Sequence, residues 1–134
     1  MKAHRILLIK LEAYGIRAIL LRWFHSYLAN RKQYVALGEV KSPEQTTLCG
    51  IPQGSTLGPL LFSIYINDMP NCSEKLCFKI FADDTNVFAS ARDLKSLEHL
   101  MNCELAKVKK WCDINKLSIN MDKTHFMIIK SSPL

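Results

Sequence analysis

Apolar residues in the first part of the chain recur at the three- and four-residue spacing of helices. Leu7, Leu8, Leu11 and Tyr14 fall on one helical face, which stops at Gly15. Ile19, Leu20, Trp23, Phe24, Tyr27 and Leu28 make a second such face over residues 16–29, broken at 30–32. The pattern then changes. Residues 33–37 read as a strand ending at Gly38, Ser42 and Pro43 mark a turn, and 45–48 read as the returning strand. A loop rich in glycine and proline, 49–59, feeds an almost wholly apolar stretch, 56–66. That stretch is expected to be a buried helix, ended by Asp68, Met69 and Pro70. Residues 76–82 read as a strand, Asp83-Asp84 as a tight turn and 86–89 as the return strand. Asp93 is placed to cap a long amphipathic helix over 93–115, with Leu94, Leu97, Met101, Leu105, Val108 and Cys112 on one face. A short strand at 117–120, a turn at 121–124 and a last strand at 125–129 follow. This order predicts an α+β fold in which helices pack on a small antiparallel sheet.

Composition places the chain among globular proteins. Of its 134 residues, 49% are hydrophobic and 22% charged, which excludes a disordered class. The length suits one domain or part of one; a complete domain of this size buries roughly 70% of its unfolded surface. The net charge of +6 fits a polyanionic partner such as nucleic acid. The basic residues are scattered, however, and the tightest group, Lys107, Lys109 and Lys110, reads as a solvated helix face. Five cysteines, Cys49, Cys72, Cys77, Cys103 and Cys112, include no CxxC pair. They read as reduced thiols of an intracellular protein, in nucleus or cytoplasm. Residues 1–5 lead into an amphipathic pattern, so no signal peptide is expected. The longest apolar stretch, 57–66, is too short to span a bilayer, and no membrane association is expected.

The sharpest chemical feature is Phe81-Ala82-Asp83-Asp84, two carboxylates at the tip of an apolar hairpin. Adjacent carboxylates about 5 Å apart repel by about 3 kcal/mol at an effective dielectric of 20. Solvent or a divalent metal can relieve that repulsion, and magnesium favours carboxylate oxygens while leaving positions for phosphate. Taken alone, the pair reads as an ordinary acidic turn. The second feature is the long string Gly50-Ile51-Pro52-Gln53-Gly54-Ser55-Thr56-Leu57-Gly58-Pro59 before the apolar helix. Its glycines allow close backbone approach to a ligand, and Gln53 and Ser55 can donate hydrogen bonds. The plainer reading is a helix-entry loop whose glycines and prolines serve geometry only.

Together these motifs resemble the reverse transcriptases of non-LTR retrotransposons. The resemblance is carried by GIPQGSTLGPLLFSIYINDMP, by FADD and by WCDINKLSINMDKTHFMIIK, with HRILLIKLEAYGI and WFHSYLANRKQYV upstream, and it covers nearly the whole chain. It implies a polymerase palm with a catalytic Asp-Asp hairpin. It further implies that Asp83 binds the catalytic metal, with Asp84 supporting it electrostatically and sharing the metal site. Pro52, Gln53, Gly54 and Ser55 would contact template and incoming nucleotide, and Lys123 would lie near the nucleotide phosphates. Without the resemblance Lys123 reads as a surface lysine. The implied cofactor is magnesium, with manganese able to replace it. The implied partners are an RNA template, a DNA primer and deoxynucleotides.

The family pattern places another metal-binding aspartate on a strand upstream of the position of His4. That strand is expected to be missing here, along with the fingers and thumb. Residues 1–134 then read as a partial reverse transcriptase domain, inactive as an isolated chain and prone to self-association. Two alternatives are a non-enzymatic retroelement relic that binds RNA or protein, and a small nucleotidyltransferase of related palm type. The second would need a further carboxylate on a neighbouring strand; Asp68 and Asp122 are not obvious substitutes.

Overall fold

The computed structural model describes residues 2–47, 50, 51 and 54–130. Helix α1 (Lys2–Ala13) buries Leu7 and Leu11 and ends where the sequence pattern places its stop. Gly15 takes φ +91°, Gly15 N donates to Glu12 O and Ile16 N to Leu11 O. This paired capping needs a left-handed residue, which glycine supplies without a Cβ clash. Helix α2 (Ala18–Leu28) begins two residues later than expected and buries Leu28. Its Trp23 and Tyr27 rings stack, with centroids 5.4 Å apart.

The next segment forms an exposed antiparallel arm of four short strands. Its strands are β1 (Lys32–Gln33), β2 (Ala36–Leu37), β3 (Val40–Lys41) and β4 (Gln45–Thr46). The reversal falls at Gly38-Glu39, not at Ser42-Pro43: Leu37 faces Val40, and Gly38 takes φ +60°. Pairs Gln33–Gln45 and Ala36–Lys41 belong to registers that differ by one residue, so the return strand carries a bulge. Ser42 and Pro43 mark that bulge. Ser42 N donates to Val35 O and Val35 N to Ser42 Oγ, while Pro43 has no N–H for a ladder.

Helix α3 (Gly58–Ile66) follows, with proline in its first turn. It buries Leu61, Tyr65 and Ile66 but leaves Leu60 exposed, so it is covered on one side rather than all round. A 3-10 turn, Met69–Cys72, leads to β5 (Cys77–Phe81) and β6 (Asp84–Phe88), then α4 (Leu94–Ile114). Asp93 caps α4 as expected: its Oδ1 accepts from Ser96 N at 2.9 Å, and its Oδ2 from Ser96 Oγ at 2.8 Å. Lys116 at φ +57° ends the helix, with Leu117 N donating to Cys112 O.

The fold is α+β, and the described residues form three separate two-stranded ladders rather than one sheet. Two apolar clusters join at Trp111 and Leu117. One gathers Leu7, Leu11, Leu28, Leu61, Tyr65 and Ile66; the other packs Leu76, Val108 and Cys112 against Phe78 and Val87 of the β5–β6 hairpin. The face of α4 differs from the apolar stripe in the sequence. Leu94 and Leu105 are exposed, while Glu104 is 2% exposed. The strands expected at 117–120 and 125–129 do not form; residues 121–123 make a 3-10 turn, and 124–130 are irregular and exposed. Alternation makes a segment able to pair, but it forms a strand only when packing brings it into register against a partner.

Buried Glu104 is satisfied by side chains from both sides. Ser73 Oγ donates at 2.7 Å and Lys107 Nζ at 2.8 Å. The Lys107 and then the Ser73 hydrogen bonds hold its carboxyl below the ordinary value of 4.5. Its stabilising contribution is therefore present above that value and is lost as pH falls through the lowered folded-state pKa. Urea midpoints of the native chain and Glu104→Gln should differ most above the ordinary carboxyl value of 4.5 and converge as pH falls below it. A gap that widened on acidification would contradict this assignment. Burial pushes the Cys72 and Cys112 thiols up, favouring their neutral forms, and the four described cysteines are free.

Candidate functional site

Sequence around the aspartates builds a two-residue hairpin. Phe81 pairs with Asp84, so the turn residues are Ala82 and Asp83, and Asp84 is the first residue of β6. The tight turn is thus one residue earlier than the sequence suggested. Ala82 takes φ +51° while Asp83 does not share a positive φ, the pattern of a type II′ turn that glycine usually fills. A left-handed alanine costs about 1–2 kcal/mol. The inner face of the hairpin carries Phe78, Ile80, Thr85 and Val87; the outer face carries Cys77, Lys79, Phe81, Asp84, Asn86 and Phe88. Asp83 and Asp84 are both exposed. Neither joins an ion pair among the described residues, where the pairs are Lys10–Asp68, Lys32–Glu44, Lys107–Glu104 and Lys109–Asp113.

The glycine-rich loop approaches the same core. Ile51, Leu57 and Ile80 all pack on the cluster around Leu11 and Leu61, so one apolar body supports both the loop and the strand leading to the aspartates. Gly50 and Gly54 take φ +86° and +74°. Ser55 Oγ accepts from Gly58 N at 3.1 Å, tying the loop to the first turn of α3. Pro52 and Gln53 lie outside the described residues. Lys123 is exposed in the 3-10 turn Met121–Lys123, and no ion pair among the described residues joins it to Asp83 or Asp84.

Two polar residues near these elements carried no signal in the sequence pattern. His4 Nε2 lies 2.7 Å from Gly50 O. Lys10 lies between two rings, 5.0 Å from the Tyr65 centroid and 4.8 Å from that of Trp111. Its ammonium donates to Asp68 Oδ1 at 2.5 Å and to Tyr65 O at 2.6 Å. The Tyr65 hydroxyl in turn donates to Asn115 O, and burial followed by the nearby Asp68 charge raises its pKa. Lysines on a helix usually face water, so only the tertiary placement of Trp111 and Asp68 marks Lys10 out.

Comparison with known proteins covers both motifs. Residues 3–133 match the family model for reverse transcriptase (RNA-dependent DNA polymerase). The chain belongs to the reverse transcriptase family. Among relatives of this reverse transcriptase chain, the RNA-directed DNA polymerase from mobile element jockey of Drosophila melanogaster is 29% identical over 73% of the chain. The probable RNA-directed DNA polymerase from transposon X-element of the same species is 41% identical over 50% of it. That from transposon BS is 30% identical over 74%. The chain covers 12%, 8% and 12% of these relatives' lengths. No solved structure matches. Among the described residues of this family member, no helix is long and apolar enough to cross a membrane.

Proposed function

We propose that residues 1–134 are a palm segment of an RNA-directed DNA polymerase of a non-LTR retrotransposon, working inside the cell in nucleus or cytoplasm. The parent enzyme adds deoxynucleotides to a primer 3′ hydroxyl on an RNA template. The observation that supports this best is the exposed Asp83-Asp84 hairpin, without ion-pair partners among the described residues, inside a family match running from residue 3 to 133. In this reading Asp83 holds the catalytic metal and Asp84 shares and supports that site. Gly54 and Ser55, with Pro52 and Gln53, contact template and nucleotide, and Lys123 serves the nucleotide phosphates.

The donor set suits magnesium, or manganese in its place, because both side chains offer hard oxygen ligands. Among the described residues no group of three or more His, Cys, Asp or Glu could hold a metal. Two carboxylates leave room for substrate phosphates to complete the shell. When bound, the ion supplies Lewis-acid stabilisation of charge on phosphate. The chain's own work is to present the two aspartates at a tight hairpin turn and to hold the glycine-rich loop on the same core.

A chimera tests the reading. This chain replaces the matching segment of the Drosophila melanogaster jockey polymerase, and primer extension on an RNA template is measured with magnesium or manganese. Templated synthesis is expected, and Asp83→Ala should reduce it by about 100-fold or more. The 134 residues alone should give none, because a two-metal reaction draws its carboxylates from more than one strand. A folded chimera without synthesis, or synthesis untouched by Asp83→Ala, would reject the assignment.

A further inference from the structure

We infer that His4, at the start of α1, is a positioning residue for the glycine-rich loop, acting through the Gly50 backbone on the loop's capacity to bind nucleic acid. The inference rests on the reading of this loop as a template and nucleotide contact. His4 Nε2 is 2.7 Å from Gly50 O, bridging 46 residues of sequence. A carbonyl oxygen only accepts, so Nε2 must carry the proton in this contact. The His4 bond meets the loop at its first positive-φ glycine. Gly50 at +86° and Gly54 at +74° have the largest backbone freedom to lose on ordering, so this stretch needs external ties to hold one shape.

Three ties hold it. His4 fixes Gly50 from α1, Ile51 is half-buried against the α1–α3 cluster, and Ser55 Oγ accepts the N–H of Gly58 in the first turn of α3. The Ile51 and Ser55 ties lie downstream of Gly50. Removing the imidazole takes away the Gly50 side-chain tie seen among the described residues, and the buried residues of α1 are expected to keep their packing. The His4–Gly50 bond is solvent-exposed, so its loss is a local event rather than a global one.

The test compares the native chain, His4→Ala and His4→Gln, the last keeping a side-chain N–H donor. Amide hydrogen exchange of residues 50, 51 and 54–56 reads the tie. Fluorescence anisotropy with a labelled RNA–DNA hybrid at low salt reads the function, and the urea midpoint reads global folding. His4→Ala should speed loop exchange by about 10-fold and weaken hybrid binding by about 5-fold with an unchanged midpoint. His4→Gln should restore both. Unchanged exchange in His4→Ala, faster exchange with unchanged affinity, no rescue by glutamine, or a matching loss of midpoint would each overturn the inference. If the native chain binds no hybrid, the nucleic-acid reading fails, and the exchange series still decides whether His4 holds the loop.

Discussion

At micromolar concentration the isolated 134-residue chain is expected to elute as dimers and larger species rather than as a 15.3 kDa monomer. The surface area motivates this. The chain exposes 11261 Å², whereas a compact monomer of its mass exposes about 7100 Å². The surplus of about 4100 Å² is several times the roughly 800 Å² that each partner contributes to an interface of standard size. Much of the uncovered surface is apolar: Phe81 is 81% exposed, Phe126 90% and Ile129 85%. The β5–β6 ladder has only two strands, and neither outer edge is paired among the described residues. Open backbone edges beside exposed aromatic rings invite strand pairing between copies. Size-exclusion chromatography with light scattering should show a mass that rises with concentration. The double substitution Phe126→Lys and Ile129→Lys should move it toward monomer. A monodisperse monomer across the concentration range would show that this surface is tolerated in water.

Lysine 10 is the second place where one change should have a large effect. Lys10→Ala is expected to destabilise the chain by about 3 kcal/mol. The side chain is 12% exposed and makes four contacts at once: the Asp68 carboxylate, the Tyr65 carbonyl and the faces of Tyr65 and Trp111. These join α1 to α3 and α4. Asp68 keeps 40% of its side chain in water, so the ion pair itself is screened and is the smaller part of the loss. Lys10→Met retains the apolar stem between the rings and should cost about half as much. Asp68→Asn should cost about 1 kcal/mol or less. Urea unfolding of the three variants orders these effects. If Lys10→Met and Lys10→Ala were equal, the charge rather than the packed stem would dominate; if both were neutral, the sandwich would contribute nothing.

Legibility in the sequence followed how local the cause was. Helices α1, α2 and α4 were readable because their period and stops lie in neighbouring residues, as with Gly15 and Asp93. The β5–β6 hairpin was readable in outline, but its turn sits at Ala82-Asp83 because cross-strand register, not residue preference, decides which pair closes it. In the exposed arm, Ser42-Pro43 carried a strong turn signature yet became a bulge once Gly38 supplied the tighter reversal. The last two expected strands pair with no described strand although the outer edges of the β5–β6 ladder are open, because alternation in a sequence does not by itself decide pairing. Buried Glu104 and Lys10 were hidden because each depends on partners from distant segments, Ser73 in one case and Tyr65, Asp68 and Trp111 in the other. The candidate site was legible as residue types in order. The roles of Asp83, Asp84, Lys123 and the loop rest on family likeness, because exposed carboxylates and an exposed lysine look alike in any protein.

The arm from Lys32 to Thr46 behaves as a cantilever. Every residue from 31 to 46 is exposed, and its ladders pair only within the arm. At its root Arg31 lies over the Tyr27 ring, 5.3 Å from the centroid, and Thr47 N donates to Arg31 O at 2.7 Å. The arm's hydrogen bonds are exposed, so on heating it is expected to open before the Leu11–Leu61 core, which Tyr27 at its root adjoins. Two stiffnesses are thus expected in one chain, and a change in the length of the arm is expected to fall on the root at Arg31 and Thr47 before it reaches the helices beneath.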